Sequence, residues 1–336
     1  AALEGRTVRV AVVVGGLAGL TTAITLQDRG FAVVLLEKNA YLGGKVGGWS
    51  FESGGETLRM DHGFHAFFRQ YYNLDRFLRD TGVADRLVPI SDYRIWTTDG
   101  RALGFAGTSP VPVLNLLSLW RVGLYKLWPV ATGPAGENLE AFLRYQPGVT
   151  EEAFDEVSFD AFAAKAQLPA DLRLVFTTFA RAFFADGSKM AMAELIKSFH
   201  FYFLGHDKGL DYDFPTDHYE SALLEPLERH LEELGVGIRR GSPVRRIESH
   251  DGGLKVDGEH FDYVVMATDV VGTRKILEAS PGVLATTPRL REQIGKLHAS
   301  NRYAVLRVWA DRDEGADLPA FCITDKPRLL DSISFY

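Results

Sequence analysis

An α/β fold built on a parallel sheet is the class this sequence predicts, and three observations predict it. Residues 9–14 (RVAVVV) form an apolar, β-branched run short enough for a buried strand. The glycine turn Gly15-Gly16-Leu17-Ala18-Gly19 follows at once, and apolar positions at Leu20, Ala23, Ile24 and Leu26 then keep a helical period that Gly30 closes. Residues 31–36 (FAVVLL) are a second buried run. Strand, turn, helix and strand make a βαβ unit, whose crossover is parallel and right-handed.

Later elements extend this start. Residues 92–105 read as a hairpin, because two alternating runs flank Asp99-Gly100, a favoured tight-turn pair. From Pro110 to Leu204 the periods turn helical, with N-caps expected at Ser158 and Ser188 and breaks at Pro147-Gly148 and Asp186-Gly187. A polar linker over 207–216 leads to a helix over 219–234 closed by Gly235. Short strands are expected at 237–239, 244–247, 254–256 and 261–267, and residues 302–310 (RYAVLRVWA) alternate as a strand of a second domain should. The chain begins at Ala1 without a basic, apolar leader and stops in what reads as a strand at 333–336, so a fragment of a longer protein is expected.

Length and composition bound the function. At 336 residues, two domains or one α/β unit with an insertion are expected, and 46% hydrophobic with 24% charged residues is a globular balance. The 37 Lys and Arg are outnumbered by 44 Asp and Glu, and the interspersed charges, net -7, point away from a nucleic-acid partner. Cys322 is the one cysteine, which excludes intrachain disulfides and cysteine metal sites and favours an intracellular compartment. Redox chemistry would therefore need a bound cofactor. Aromatic residues make up 12% and crowd between 49 and 205, which fits either a large apolar cavity or a packed core.

The glycine turn carries the first chemical signal. Backbone N–H groups at a helix N-terminus attract a pyrophosphate, and glycine lets the backbone approach it. Gly16 and Gly19 occupy the second and third glycine positions of the G-x-G-x-x-G pattern, and Glu37 falls where a carboxylate accepts from ribose hydroxyls. The first glycine position is Val14, whose branched side chain should strain the turn if its φ is positive. A plain strand-to-helix connection is the alternative. Beyond Glu37, Lys38 leads into Gly43-Gly44-Lys45 and Gly47-Gly48, where backbone can lie against phosphate and sugar beside a basic side chain.

With that second glycine pair, the chain resembles the FAD-binding domain of the flavin amine oxidase and phytoene desaturase superfamily. Residues 60–73 (MDHGFHAFFRQYYN) narrow it further. Gly63, His65, Phe67, Phe68, Tyr71 and Asn73 are similar to the G-x-H-x-F-F-x-x-Y-x-N signature of carotene desaturases, and the Arg69-Gln70-Tyr71-Tyr72 context is most similar to the isorenieratene synthase type. Val244 sits in a block that resembles the strand whose backbone holds the adenine in such enzymes.

The resemblance implies a Rossmann-type FAD-binding domain in two parts, 1–90 and 216–285, with a largely helical substrate or membrane-facing insertion over 91–215 and part of a substrate domain over 286–336. It implies FAD held by Gly15, Gly16, Ala18, Gly19, Glu37, Lys38, Gly43, Gly44, Lys45, Gly63 and Val244. A carotenoid or similar polyene would meet Phe67, Phe68, Tyr71 and Tyr72. His65 and Arg69 are the candidates for proton handling or flavin positioning, with a satisfied core histidine as the alternative for His65. Residues 110–129 are apolar with Trp120, Tyr125 and Trp128 near their ends, but Arg121 and Lys126 interrupt them, so an interfacial helix on the cytoplasmic side of a membrane or a helix buried against the second domain is expected. No metal is expected: His206, Asp207 and residues 211–213 lack the spacing of a ligand set.

Overall fold

The computed structural model describes residues 2–3, 6–90, 93–126, 128, 140–182, 185–299, 303–311, 318–325 and 330–335. Asp92, Pro129, Arg302 and Tyr336, which bound elements expected from sequence, lie outside them. The chain divides into two compact units. One comprises Ala1–His65, Asn73–Val88 and Pro215–Arg307; the other comprises Ala66–Tyr72, Pro89–Phe214 and Val308–Tyr336.

In the first unit the βαβ start forms as the apolar pattern dictates. Strands Arg9–Val13 and Ala32–Leu36 pair in parallel around the helix Leu17–Asp28, with Gly237–Arg239 added beyond the second strand and Tyr263–Met266 beyond the first, all parallel. Val10, Ala11, Val12 and Val13 are all buried, so both faces of this strand are covered. An antiparallel meander, Ile247–His250, Gly253–Val256 and Glu259–Phe261, packs Ile247, Val256 and Phe261 against Ala11, Val13 and Leu36. Each fully buried side chain of this size contributes about 1.5–3 kcal/mol.

Strands Gly48–Ser53 and Glu56–Asp61 form a hairpin that the sequence reading did not anticipate. Its two-residue loop is Gly54-Gly55, both at positive φ, the geometry that matches the twist of paired strands. The register ends by setting Asp61 opposite Gly48. The helix expected over 219–234 is present, but its first turn, Glu220–Leu224, is wound as a π-helix before the α-helix Glu225–Glu233. Val244 precedes the meander rather than belonging to a strand.

In the second unit the hairpin Tyr93–Trp96 and Ala102–Gly104 forms, closed by a wider loop than Asp99-Gly100 alone, with the Thr97 N–H donating to the Arg101 carbonyl at 3.0 Å. Phe321–Thr324 adds in parallel to Tyr93–Trp96, and Ser332–Ser334 pairs with it. Helices between Leu114 and Phe199 bury a cluster in which Phe142, Phe162, Phe176 and Phe199 meet ring to ring. Ser158 caps Phe159–Lys165 as expected, accepting from the Ala161 N–H. Ser188 does not cap: the next helix is Met192–Phe199 with Ala191 before it, because Ser188 turns back on Asp186.

Two further expectations are corrected. Residues 303–310 form no strand among the described residues, and Leu306 and Val308 are largely exposed. Alternation supplies a two-faced segment, but a strand also requires a ladder with a neighbouring strand, which alternation by itself does not provide. Leu124, within the apolar run 110–129 for which an interfacial helix is one expectation, is core at 1% exposure. Helix Leu114–Arg121 ends at Gly123, whose φ of 82° turns the chain so that the Leu124 N–H reaches the Leu119 carbonyl at 3.0 Å. That closing motif drives the following residue inward.

Candidate functional site

The glycine turn and the second glycine pair meet at the carboxyl end of the parallel sheet. Gly16 bridges Gly43, and the Gly43 N–H donates to the Gly15 carbonyl at 2.7 Å. Glu37, 1% exposed, ends the second strand; its two carboxylate oxygens accept from the Gly15 and Asn39 N–H groups, each at 2.8 Å. The acid therefore ties the turn to the strand through two acceptor sites and retains others for a ligand hydroxyl.

What a methyl group would meet at each glycine separates structural from ligand-driven positions. A Cβ on Gly19 would fall 1.8 Å from the Val14 carbonyl oxygen, and one on Gly15 would fall 2.6 Å from the Leu42 side chain. Gly43 and Gly44 stand at φ of 99° and 57°, and a Cβ on Gly43 would meet Leu224 at 2.8 Å. These four are demanded by the fold. Gly16 differs: a Cβ there would meet no protein atom closer than 3.9 Å, at the N-cap of a 12-residue helix. The turn is thus a cradle whose open side faces no protein, as a pyrophosphate needs.

Val14 adopts a φ of 85°, one of four non-glycine residues among those described at positive φ. The strain expected from sequence is present. Ala18 is exposed in the first helical turn and lines, with Leu17, Thr21, Asn73 and Phe77, an open surface groove of about 460 Å³. Lys38 and Lys45 are exposed, and Lys45 lies in the short turn Gly44–Val46. Gly63 has a φ of 114°, which side chains rarely adopt. Val244 is half-buried, and no hydrogen bond of its N–H or carbonyl is found among the described residues.

The signature residues divide between the units. His65, in the first, sends Nε2 to the Lys45 carbonyl at 2.7 Å, while its backbone N–H donates to the Tyr219 hydroxyl at 2.8 Å. Burial, the largest influence, pushes the His65 pKa down, partly offset by the bond to the Lys45 carbonyl. Arg69, in the second, is ion-paired to Asp213 at 2.9 Å and lies 3.8 Å from Asp211. Phe67 is buried, and Phe68 sits edge-on to Tyr202 with ring centroids 4.6 Å apart. Tyr71 shares a 2.6 Å hydroxyl contact with Tyr202, and burial raises the pKa of both. Tyr72 is 60% exposed beside His206. Phe68 and Tyr71 are accordingly packed against the helical core of their unit.

Sequence reasoning passed over Asp61, His218 and Tyr219. Buried Asp61 accepts from His218 Nδ1 at 2.8 Å and the Tyr219 N–H at 3.1 Å. An acid two residues before Gly63 was the available signal, but nothing in the sequence shows that a segment more than 150 residues away meets it.

A parallel sheet with a glycine cradle and a buried acid ending its second strand defines a dinucleotide-binding protein of the Rossmann class. The chain belongs to the flavin containing amine oxidoreductase family, whose model matches residues 17–306. FAD is accordingly its cofactor, and the open cradle at Gly16, with the acceptors on Glu37, fits that group. The chain is 36% identical over 97% of its length to a carotenoid phi-ring synthase of Streptomyces griseus, and 34% identical over 74% to that of Chlorobaculum tepidum. It spans 64% and 40% of those two proteins. It is 28% identical over 71% of its length to the 15-cis-phytoene desaturase of Solanum lycopersicum. An oxidoreductase from Methanosarcina mazei shares the fold with a TM-score of 0.60 at 16% identity, over 97% of this chain and 74% of that one.

Proposed function

We propose that this chain belongs to an FAD-dependent oxidoreductase that dehydrogenates a long apolar polyene of the carotenoid class, with ring aromatisation and a methyl shift as the outcome on a β-ring. The observation that carries this is the 36% identity, sustained over 97% of the chain, to a carotenoid phi-ring synthase. Removing hydride from an allylic C–H needs a two-electron acceptor that no side chain provides, and bound FAD supplies it.

The chain's own residues bind and orient. Gly16 leaves room at the helix N-terminus, Glu37 offers its remaining acceptor sites to ribose, and Val244 offers backbone to adenine. Of the four aromatic candidates for an apolar wall, Tyr72 is exposed and Phe68 and Tyr71 are only partly buried, so their rings are the ones open to a polyene cation, whereas Phe67 is buried. Arg69, held by Asp213, is better suited to orienting its strand than to moving a proton.

The proposal includes a peripheral, reversible association with the cytoplasmic face of a membrane, where such a substrate dissolves. No described helix is long and apolar enough to cross one. Leu114, Leu117 and Trp120 recur on one exposed helix face, Val113 and Trp128 are exposed nearby in sequence, and Arg121 and Lys126 are exposed cations suited to anionic headgroups. Anaerobic addition of β-carotene or of an amine to the flavin-loaded full-length protein tests the function. Bleaching of the flavin absorbance by the carotene supports it. Bleaching by the amine alone, or by neither, overturns it.

A further inference from the structure

We infer that Asp61, Tyr219 and His65 form a positioning clamp on the second glycine turn, in which His65 is a strut between backbone segments rather than a proton relay. The inference deepens the proposal above and rests on its assignment of FAD to the glycine cradle.

The clamp starts at the end of the hairpin. Register places Asp61 opposite Gly48, and a Cβ on Gly48 would fall 2.7 Å from Asp61 Oδ1, so the carboxylate occupies the space that glycine leaves. A carboxylate this buried requires compensating donors. It has them: the Tyr219 N–H at 3.1 Å on Oδ1, and His218 Nδ1 at 2.8 Å and the Arg307 guanidinium at 3.5 Å on Oδ2. Asp61 thereby fixes where the helix of Tyr219 begins.

From that helix two contacts reach the glycine turn. Leu224 packs over Gly43, close enough that a Cβ on Gly43 would lie 2.8 Å away. The Tyr219 hydroxyl accepts the His65 N–H at 2.8 Å, and the two rings meet edge-on at 5.6 Å. His65 then closes the path through Nε2 to the Lys45 carbonyl at 2.7 Å. A carbonyl only accepts, so Nε2 carries a proton in this contact. Burial favours the neutral ring, whose single N–H is then already committed to a peptide group. Lys45 belongs to the turn Gly44–Val46, and Gly43 beside it bridges Gly16. The position of the turn against the cradle is therefore set by a relay of hydrogen bonds that begins at Asp61.

The test uses the full-length protein and four variants. Tyr219→Phe removes the acceptor for the His65 N–H and keeps the ring; His65→Leu removes the donor to Lys45; His65→Gln restores an N–H donor near the place of Nε2; Asp61→Asn removes the charge. FAD affinity is measured by flavin fluorescence, and amide hydrogen exchange over residues 43–47 is measured in the flavin-free proteins. The clamp predicts that Tyr219→Phe, His65→Leu and Asp61→Asn each weaken FAD binding about tenfold and speed exchange at 43–47, while His65→Gln stays within about threefold of the parent. It also predicts that Tyr219→Phe and His65→Leu combine less than additively. Unchanged exchange in Tyr219→Phe, or a His65→Gln variant as impaired as His65→Leu, would overturn the clamp. A parent that binds no FAD would instead overturn the cofactor assignment, and the exchange data would still decide the clamp.

Discussion

Val14 holds a branched side chain at a φ of 85°, in the place where the dinucleotide turn wants glycine. Holding an L-residue in this region costs about 1–2 kcal/mol. Changing Val14→Gly relieves that strain but has two opposing effects. The half-buried valine packs against the cluster of Ala11, Val13 and Leu36, and its loss costs about 1 kcal/mol. Glycine's extra freedom in the unfolded chain costs about 0.5–1 kcal/mol more. The net change should stay within about 1 kcal/mol of the parent. Val14→Ala loses the same packing and keeps the strain, so it should be the less stable of the two variants by about 0.5–1 kcal/mol. Flavin binding should move further, because a Val14 methyl lies 4.0 Å from where a Cβ on Gly16 would sit, on the rim of the cradle. Fluorescence titration of the full-length proteins should show FAD affinity raised about three- to tenfold in Val14→Gly, with urea melts reporting stability. Equal affinities, or a glycine variant less stable than the alanine variant, would refute this account of the turn.

Three other outcomes follow from the same geometry. Gly19→Ala places a methyl 1.8 Å from the Val14 carbonyl oxygen and should lower stability by about 3 kcal/mol or more, read as a drop in urea midpoint. Changing Trp120 and Trp128 together to Ser should lower co-sedimentation of the full-length protein with anionic liposomes while circular dichroism stays unchanged; undiminished sedimentation would move the membrane contact elsewhere. Asp262 accepts from Arg6 and from the Arg9 N–H, and these bonds, with Arg6 first, lower its pKa from 3.8 to about 2. Because the folded value lies below the ordinary one, the stabilisation is present above pH 3.8 and is lost as pH falls toward 2; Asp262→Asn should flatten acid unfolding in that window.

The parts of the fold legible in the sequence were those whose signal is local. The βαβ start reads directly because Val10 to Val13 are apolar on both faces and the turn follows without a break. The strain at Val14 was legible for the same reason: a motif position and a residue's steric preference sit at one place. Gly54-Gly55 is an equally local hairpin signal, masked by the denser glycine segment before it. Other features depend on contacts between distant segments. Residues 303–310 alternate like a strand yet form none among the described residues, and no period within them records that. The bond that the His65 N–H donates to the Tyr219 hydroxyl joins residues 154 apart, so His65 reads from sequence as a proton-handling candidate and in the structure as a tethered residue.

Gly16→Ala tests the central claim most directly, because it adds one methyl group where the protein itself leaves room. With no protein atom nearer than 3.9 Å, the flavin-free stability should stay within about 1 kcal/mol of the parent, while FAD binding should weaken by at least about tenfold as the methyl enters the space for the pyrophosphate. A variant that binds FAD as tightly as the parent would contradict the assignment of this turn as the cofactor's cradle.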